Sequence, residues 1–142
     1  MSQSSGPEPR PSTSGQPAAA RILVVDDDDY VHVALRAALR PIRASIERAA
    51  GAAEGLALAR AQLPDLAIID LGLPDADGYE LTRWLRAEPG MEQLRILIVT
   101  GHFPDTEAAL AAGADEIMGK PFKLHDFLEA VRRQLRNRAL AS

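Results

Sequence analysis

The sequence predicts an α/β fold: one domain on a doubly wound, five-stranded parallel sheet with helices on both faces. Two observations carry this. Short aliphatic and β-branched runs alternate with stretches whose apolar residues recur at helical spacing, the pattern of successive βαβ units. Setting aside a polar N-terminal stretch leaves about 120 residues, enough for one domain with a single core.

Ile22-Leu23-Val24-Val25 is a continuous apolar run, as expected of a strand buried on both faces. Val31, Ala34, Leu35, Ala38 and Leu39 then recur at helical spacing, with Asp29 expected as N-cap and Pro41 just past the end. A weaker strand is expected at residues 44–48, then a helix carrying Leu56, Ala59 and Leu63 that stops before Pro64. Leu66-Ala67-Ile68-Ile69 is the third strand. Leu81, Trp84 and Leu85 mark the third helix, ending near Pro89-Gly90, and Ile96-Leu97-Ile98-Val99 is the fourth strand. A short alanine-rich helix over residues 105–112 closes on Gly113, and residues 116–119 form the fifth strand. Leu124, Phe127, Leu128, Val131 and Leu135 share one face of the last helix, and Arg132, Arg133 and Arg136 suit the negative end of its dipole.

Right-handed crossovers restrict how five such units wind, and the flavodoxin-like order 2-1-3-4-5 is expected. Strands one and three are then neighbours at the topological switch point. Ligands bind there beyond the carboxyl ends of the strands, so the residues after Val25 and Ile69 should form the site.

Residues 1–20, rich in Ser, Pro, Gly, Gln and Ala, are expected to be a disordered tail or linker. The folded domain is expected at residues 21–138, and residues 139–142 as a short C-terminal tail. The net charge of -4 argues against sequence-independent nucleic-acid binding, no direct nucleic-acid partner is expected, and the lack of cysteine excludes disulfides, thiolate metal sites and cysteine nucleophiles. The apolar runs at 22–25 and 94–99, the second broken by Arg95, are far short of a bilayer span, and the first residues lack the features of a secretory signal. A cytoplasmic protein without membrane contact is expected.

Asp26-Asp27-Asp28-Asp29 follows the first strand and Asp70 follows the third, which crowds carboxylates at one rim. Such a cluster repels itself unless a cation is present, and oxygen ligands favour a hard ion such as magnesium. Asp28 and Asp29 read as a solvent-facing residue and a helix cap. Asp26 and Asp27 sit at the end of a buried strand, where two adjacent charges need electrostatic compensation. Thr100 ends the fourth strand with a hydroxyl donor, and Lys120 follows the fifth with a mobile ammonium; both suit a bound anion.

With these residues in place, the chain resembles the response-regulator receiver family over residues 21–136. The matching segments are Ile-Leu-Val-Val-Asp26-Asp27, Ile-Ile-Asp70-Leu-Gly-Leu-Pro74-Asp-Ala-Asp77-Gly78, Val-Thr100-Gly101, Gly113-Ala114-Asp115 and Lys120-Pro121-Phe122. The resemblance implies a phosphorylation-dependent switch of a two-component system. Asp70 would accept the phosphoryl group, Asp26, Asp27, Asp70 and the Gly72 carbonyl would hold Mg2+, and Thr100 and Lys120 would contact the phosphoryl oxygens. It also implies a cis peptide at Lys120-Pro121. Gly101, His102 and Ile117 occupy modulating positions; Ile117 replaces the usual aromatic on the fifth strand, and His102 is expected to make the phosphoryl lifetime pH-dependent. The region between Thr100 and Gly113 is about two residues short of the family's usual length, which implies an abbreviated fourth helix or loop.

The implied partners are a sensor histidine kinase or histidine-phosphotransfer protein and a downstream protein at the face of the fourth helix, fifth strand and fifth helix. A monomer or a phosphorylation-linked dimer is expected. The alternatives are a phosphorelay intermediate and a phosphorylation-independent binding module. A dinucleotide site would need glycines where the four aspartates stand, and a haloacid-dehalogenase-type phosphatase would need an acid where Gly72 stands. His32, His102 and His125 lack zinc spacing, and His32 reads as a helix-surface residue. A metabolic enzyme is therefore not expected.

Overall fold

A computed structural model describes residues 19–141. Strands and helices alternate in the order β1 (Ala20–Val25), α1 (Asp29–Ala38), β2 (Ala44–Ala49), α2 (Ala52–Gln62), β3 (Leu66–Asp70), α3 (Gly78–Ala87), β4 (Arg95–Thr100), α4 (Thr106–Ala112), β5 (Glu116–Gly119) and α5 (Leu124–Ala141). All strand pairs are parallel and the sheet order is β2-β1-β3-β4-β5, as the sequence predicts.

The two-residue period of each strand divides the core into two layers. Ile22, Val24, Leu66, Ile68, Leu97 and Val99 face α1 and α5, where Leu35, Leu39, Phe127 and Val131 complete the packing. Leu23, Val25, Ala67, Ile69, Ile96 and Ile98 face the opposite side, against Ala59 of α2, Leu81 and Leu85 of α3 and Ala109 of α4. β1, β3 and β4 are therefore apolar on both faces, and β2, at the sheet edge, has exposed Ser45, Glu47 and Arg48.

Helix starts are fixed by side-chain caps. Asp28, not Asp29, caps α1 by accepting from the Tyr30 N–H, and Asp29 lies in the first turn paired with Arg48. Asp77 and Glu80 form a reciprocal capping box on α3, and Asp105 caps α4. Gly51 precedes α2 without a side chain to offer, and Asp75 from the β3–α3 connection accepts from the Ala52 and Ala53 N–H groups instead. The α4 cap Gly113 has φ 109°, and Arg86 lies so close that an added Cβ would sit 2.6 Å from its Cγ.

Several boundaries and faces differ from expectation. Ala20 already pairs with Ala44 in the sheet and its N–H donates to the Arg43 carbonyl, so the fold begins one residue before 21. Residues 139–141, expected as a tail, continue α5, because Ala-Leu-Ala contains strong helix formers and no breaker. Residues 1–18 of the expected N-terminal tail lie outside the described residues. Leu63 is the left-handed cap of α2 and is exposed, as are Trp84 and Leu124, which the helical pattern assigned to apolar faces. α4 has only seven residues. Among the described residues, no helix is long and apolar enough to cross a membrane.

Candidate functional site

β1 and β3 are adjacent, with Val25 opposite Ile69, so the residues that follow emerge side by side. Asp26 continues one residue past β1 and Asp70 is the last residue of β3. On the far side, Asp70 pairs with Val99, Thr100 pairs with Gly119, and Lys120 follows. Strand register alone therefore brings Asp26, Asp27, Asp70, Thr100 and Lys120 to one rim of the sheet.

Each of Asp26, Asp27 and Asp70 offers a carboxylate oxygen, and the three oxygens lie within 4.8 Å of one another. Asp26 is buried, Asp70 half-buried and Asp27 exposed, so the cluster opens to solvent on the Asp27 side. Lys120 Nζ lies 3.2 Å from Asp70 Oδ1 and 3.8 Å from Asp26 Oδ2. The first distance is a hydrogen bond; the second is an ion pair too long to be one. Asp26 Oδ1 accepts from the Asp28 N–H at 2.9 Å, and buried Oδ2 has no hydrogen-bond partner. Burial holds the Asp26 carboxyl above the ordinary carboxylate value, opposed by the Asp28 N–H and reinforced by the negative charge of Asp70.

The remaining residues frame this cluster. Asp70 Oδ2 accepts from the Gly72 N–H at 3.1 Å, which turns the β3–α3 connection over the carboxylate. Gly78 closes that connection, where a Cβ would stand 2.7 Å from the Asp70 carbonyl oxygen, so only glycine permits this approach. Thr100 is buried and its Oγ1 accepts from the His102 N–H. The backbone N–H of Lys120 donates to the Thr100 carbonyl, and the Lys120-Pro121 peptide is cis, as the resemblance implies. Gly101, His102 and Phe103 are exposed on the β4–α4 connection beside the rim. Ile117 is half-buried and packs against the core layer under α4.

One functional candidate was misplaced by sequence reasoning. His32 is buried, not on the helix surface, and its Nε2 lies 2.6 Å from the Asp26 carbonyl oxygen. The helical pattern gave no sign of this because the exposed Val33 and Ala34 beside it obscure which face turns inward.

The donor set fits a hard divalent cation: carboxylates from two strand ends, one buried oxygen without a hydrogen-bond partner, and a half-open mouth. Sheet order and acidic rim together define a doubly wound domain with a candidate ligand site at the switch point. The chain belongs to the response regulator receiver domain family, which it matches over residues 22–132. It is a receiver domain of the kind found in two-component response regulators, a signalling domain.

The response regulator MprA of Mycolicibacterium vanbaalenii is 40% identical over 118 residues, a match covering 82% of this chain and 50% of the relative. The chain thus spans about half the length of the curated relatives it matches. A CheY-like receiver domain protein from Methanospirillum hungatei superposes with a TM-score of 0.79 at 31% identity, covering 87% of this chain and 99% of that one. A LuxR-family two-component response regulator from Aurantimonas gives 0.77 at 32% identity, covering 84% and 86%.

Proposed function

We propose that this receiver is a phosphorylation switch whose acceptor is Asp70, charged by a phosphohistidine on a sensor histidine kinase or histidine-phosphotransfer protein, or by a small acyl phosphate. The observation that carries this reading is one half-buried carboxylate between an ammonium at 3.2 Å and an acidic pair within 4.8 Å.

Asp26, Asp27, Asp70 and the Gly72 carbonyl would hold Mg2+. When bound, the ion neutralises negative charge on the transferring oxygens. Asp70 supplies the attacking oxygen: its bond to phosphorus forms as the bond to the donor's nitrogen or oxygen breaks, and the electron pair leaves with the donor. Lys120 balances charge on the phosphoryl group, and the Thr100 hydroxyl donates to one of its oxygens. Gly72 adds no side chain over the acceptor, which leaves water a path to the acyl phosphate and makes the switch self-resetting. His102 and Gly101, at the same mouth, tune that lifetime.

A cleft of about 520 Å³ between α1 and the β5–α5 connection opens beside Lys120, lined by Val31, Ala34, Ala38, Pro121, Phe122 and Leu124. Its apolar floor and its end at Lys120 suit a helix of the phosphodonor, seated with its histidine at the rim. Output runs through the face of α4, β5 and α5, where Leu110 is exposed. Ile117 makes the coupling within that face aliphatic.

The test compares wild type with Asp70→Asn for binding of beryllofluoride with Mg2+, followed by amide chemical shifts. Wild type should show saturable shifts at the strand ends and the variant none. Equal responses would remove Asp70 from this role.

A further inference from the structure

We infer that His32 is a positioning residue for the cation site: its imidazole holds the Asp26 carbonyl and thereby fixes the loop that presents Asp26 and Asp27. The inference rests on the cation site proposed above.

Asp26 lies one residue past the last paired position of β1, so its carbonyl has left the strand ladder. A buried carbonyl left without a donor is destabilising. His32 supplies the donor. It lies in the first turn of α1, where its own N–H donates to the Asp28 carbonyl, and helical side chains lean back toward the N-terminus. From that position Nε2 reaches the Asp26 carbonyl at 2.6 Å, and because a carbonyl only accepts, the hydrogen is on Nε2.

Three bonds then lock Asp26 in place. Its N–H donates to the Ala49 carbonyl, its Oδ1 accepts from the Asp28 N–H, and its carbonyl accepts from His32. These leave Oδ2 at the shared site with no hydrogen-bond partner, only the Lys120 ammonium at 3.8 Å. Asp27 is exposed, so its carboxylate is placed by this backbone and not by side-chain packing. Releasing the carbonyl would loosen both carboxylates while leaving their charges unchanged. Groups that orient metal ligands in this way commonly change metal affinity ten- to a hundredfold when removed.

The experiment measures Mg2+ affinity of the whole chain by titration calorimetry for wild type, Asp27→Asn, His32→Gln and His32→Met, with thermal unfolding in EDTA run alongside. Glutamine and methionine are both unbranched and close in length, but only glutamine donates. We expect His32→Met to bind Mg2+ about tenfold more weakly and His32→Gln to stay within about threefold of wild type. Asp27→Asn should bind far more weakly than wild type, and this reports on the cation site itself. If His32→Met and His32→Gln bind equally while Asp27→Asn fails, the role of His32 is overturned and the cation site stands. A wild-type protein with no Mg2+ binding would overturn both. Lowered melting with unchanged affinity in His32→Met would make the contact structural only and also overturn the inference.

Discussion

The Lys120 ammonium lies 3.2 Å from Asp70 Oδ1, joining the residue that follows β5 to the residue that ends β3. The same nitrogen lies 3.8 Å from Asp26, so one cation offsets part of the charge of two carboxylates. Lys120→Ala should therefore separate two properties. Mg2+ binding should tighten several-fold, because the lysine no longer competes for Asp70, whereas phosphorylation by acetyl phosphate should slow about 10²–10³-fold. Calorimetry and a phosphorylation time course check the two halves.

Asp26 ties stability to pH in metal-free buffer. Its folded-state pKa is raised by burial, so the folded state holds the proton more tightly than the unfolded chain. Stability from this group is complete below the ordinary value of 3.8 and is lost as pH rises through the raised folded value. Asp26→Asn should accordingly be more stable than wild type at pH 7 in EDTA, with the gap narrowing in acid. Adding Mg2+ should stabilise wild type and leave the variant unchanged. Urea unfolding at pH 7 and pH 4, with and without the ion, measures this.

Asp115 anchors the end of the sheet away from the acidic rim. Its carboxylate accepts from Arg86 at 2.9 Å and from the Ile96 N–H at 2.8 Å, with Arg95 at 3.2 Å. Asp115→Ala would leave two half-buried guanidinium groups without their shared partner, at a cost of about 3 kcal/mol. Chemical denaturation should show this loss while beryllofluoride binding is retained.

Much of the fold was legible because β1, β3 and β4 are buried on both faces and read as unbroken apolar runs. β2 was faint for the opposite reason: on the sheet edge, Ser45, Glu47 and Arg48 meet water. The acidic rim was legible because parallel strands place successive strand ends together, so Asp26, Asp70, Thr100 and Lys120 needed only the sheet order. Contacts between elements carried no local signal. Asp75 caps α2 from a connection 22 and 23 residues away, and no spacing rule announces it. His32 turned inward because the Asp26 carbonyl needed a donor, a demand visible only once β1 ends and α1 begins at fixed positions. Ala20 and residues 139–141 carry no boundary signal for a simpler reason: alanine marks neither a strand start nor a helix end.

Acceptance of a phosphoryl group by the proposed acceptor Asp70 leaves a chemical trace. The most direct measurement treats the protein with acetyl phosphate and Mg2+, reduces it with borohydride, and locates the modified residue by peptide mass spectrometry. An acyl phosphate on Asp70 is reduced to homoserine, so homoserine is expected at position 70 and should be absent when Mg2+ is chelated. Homoserine at another aspartate, or none in protein shown to be folded, would contradict it.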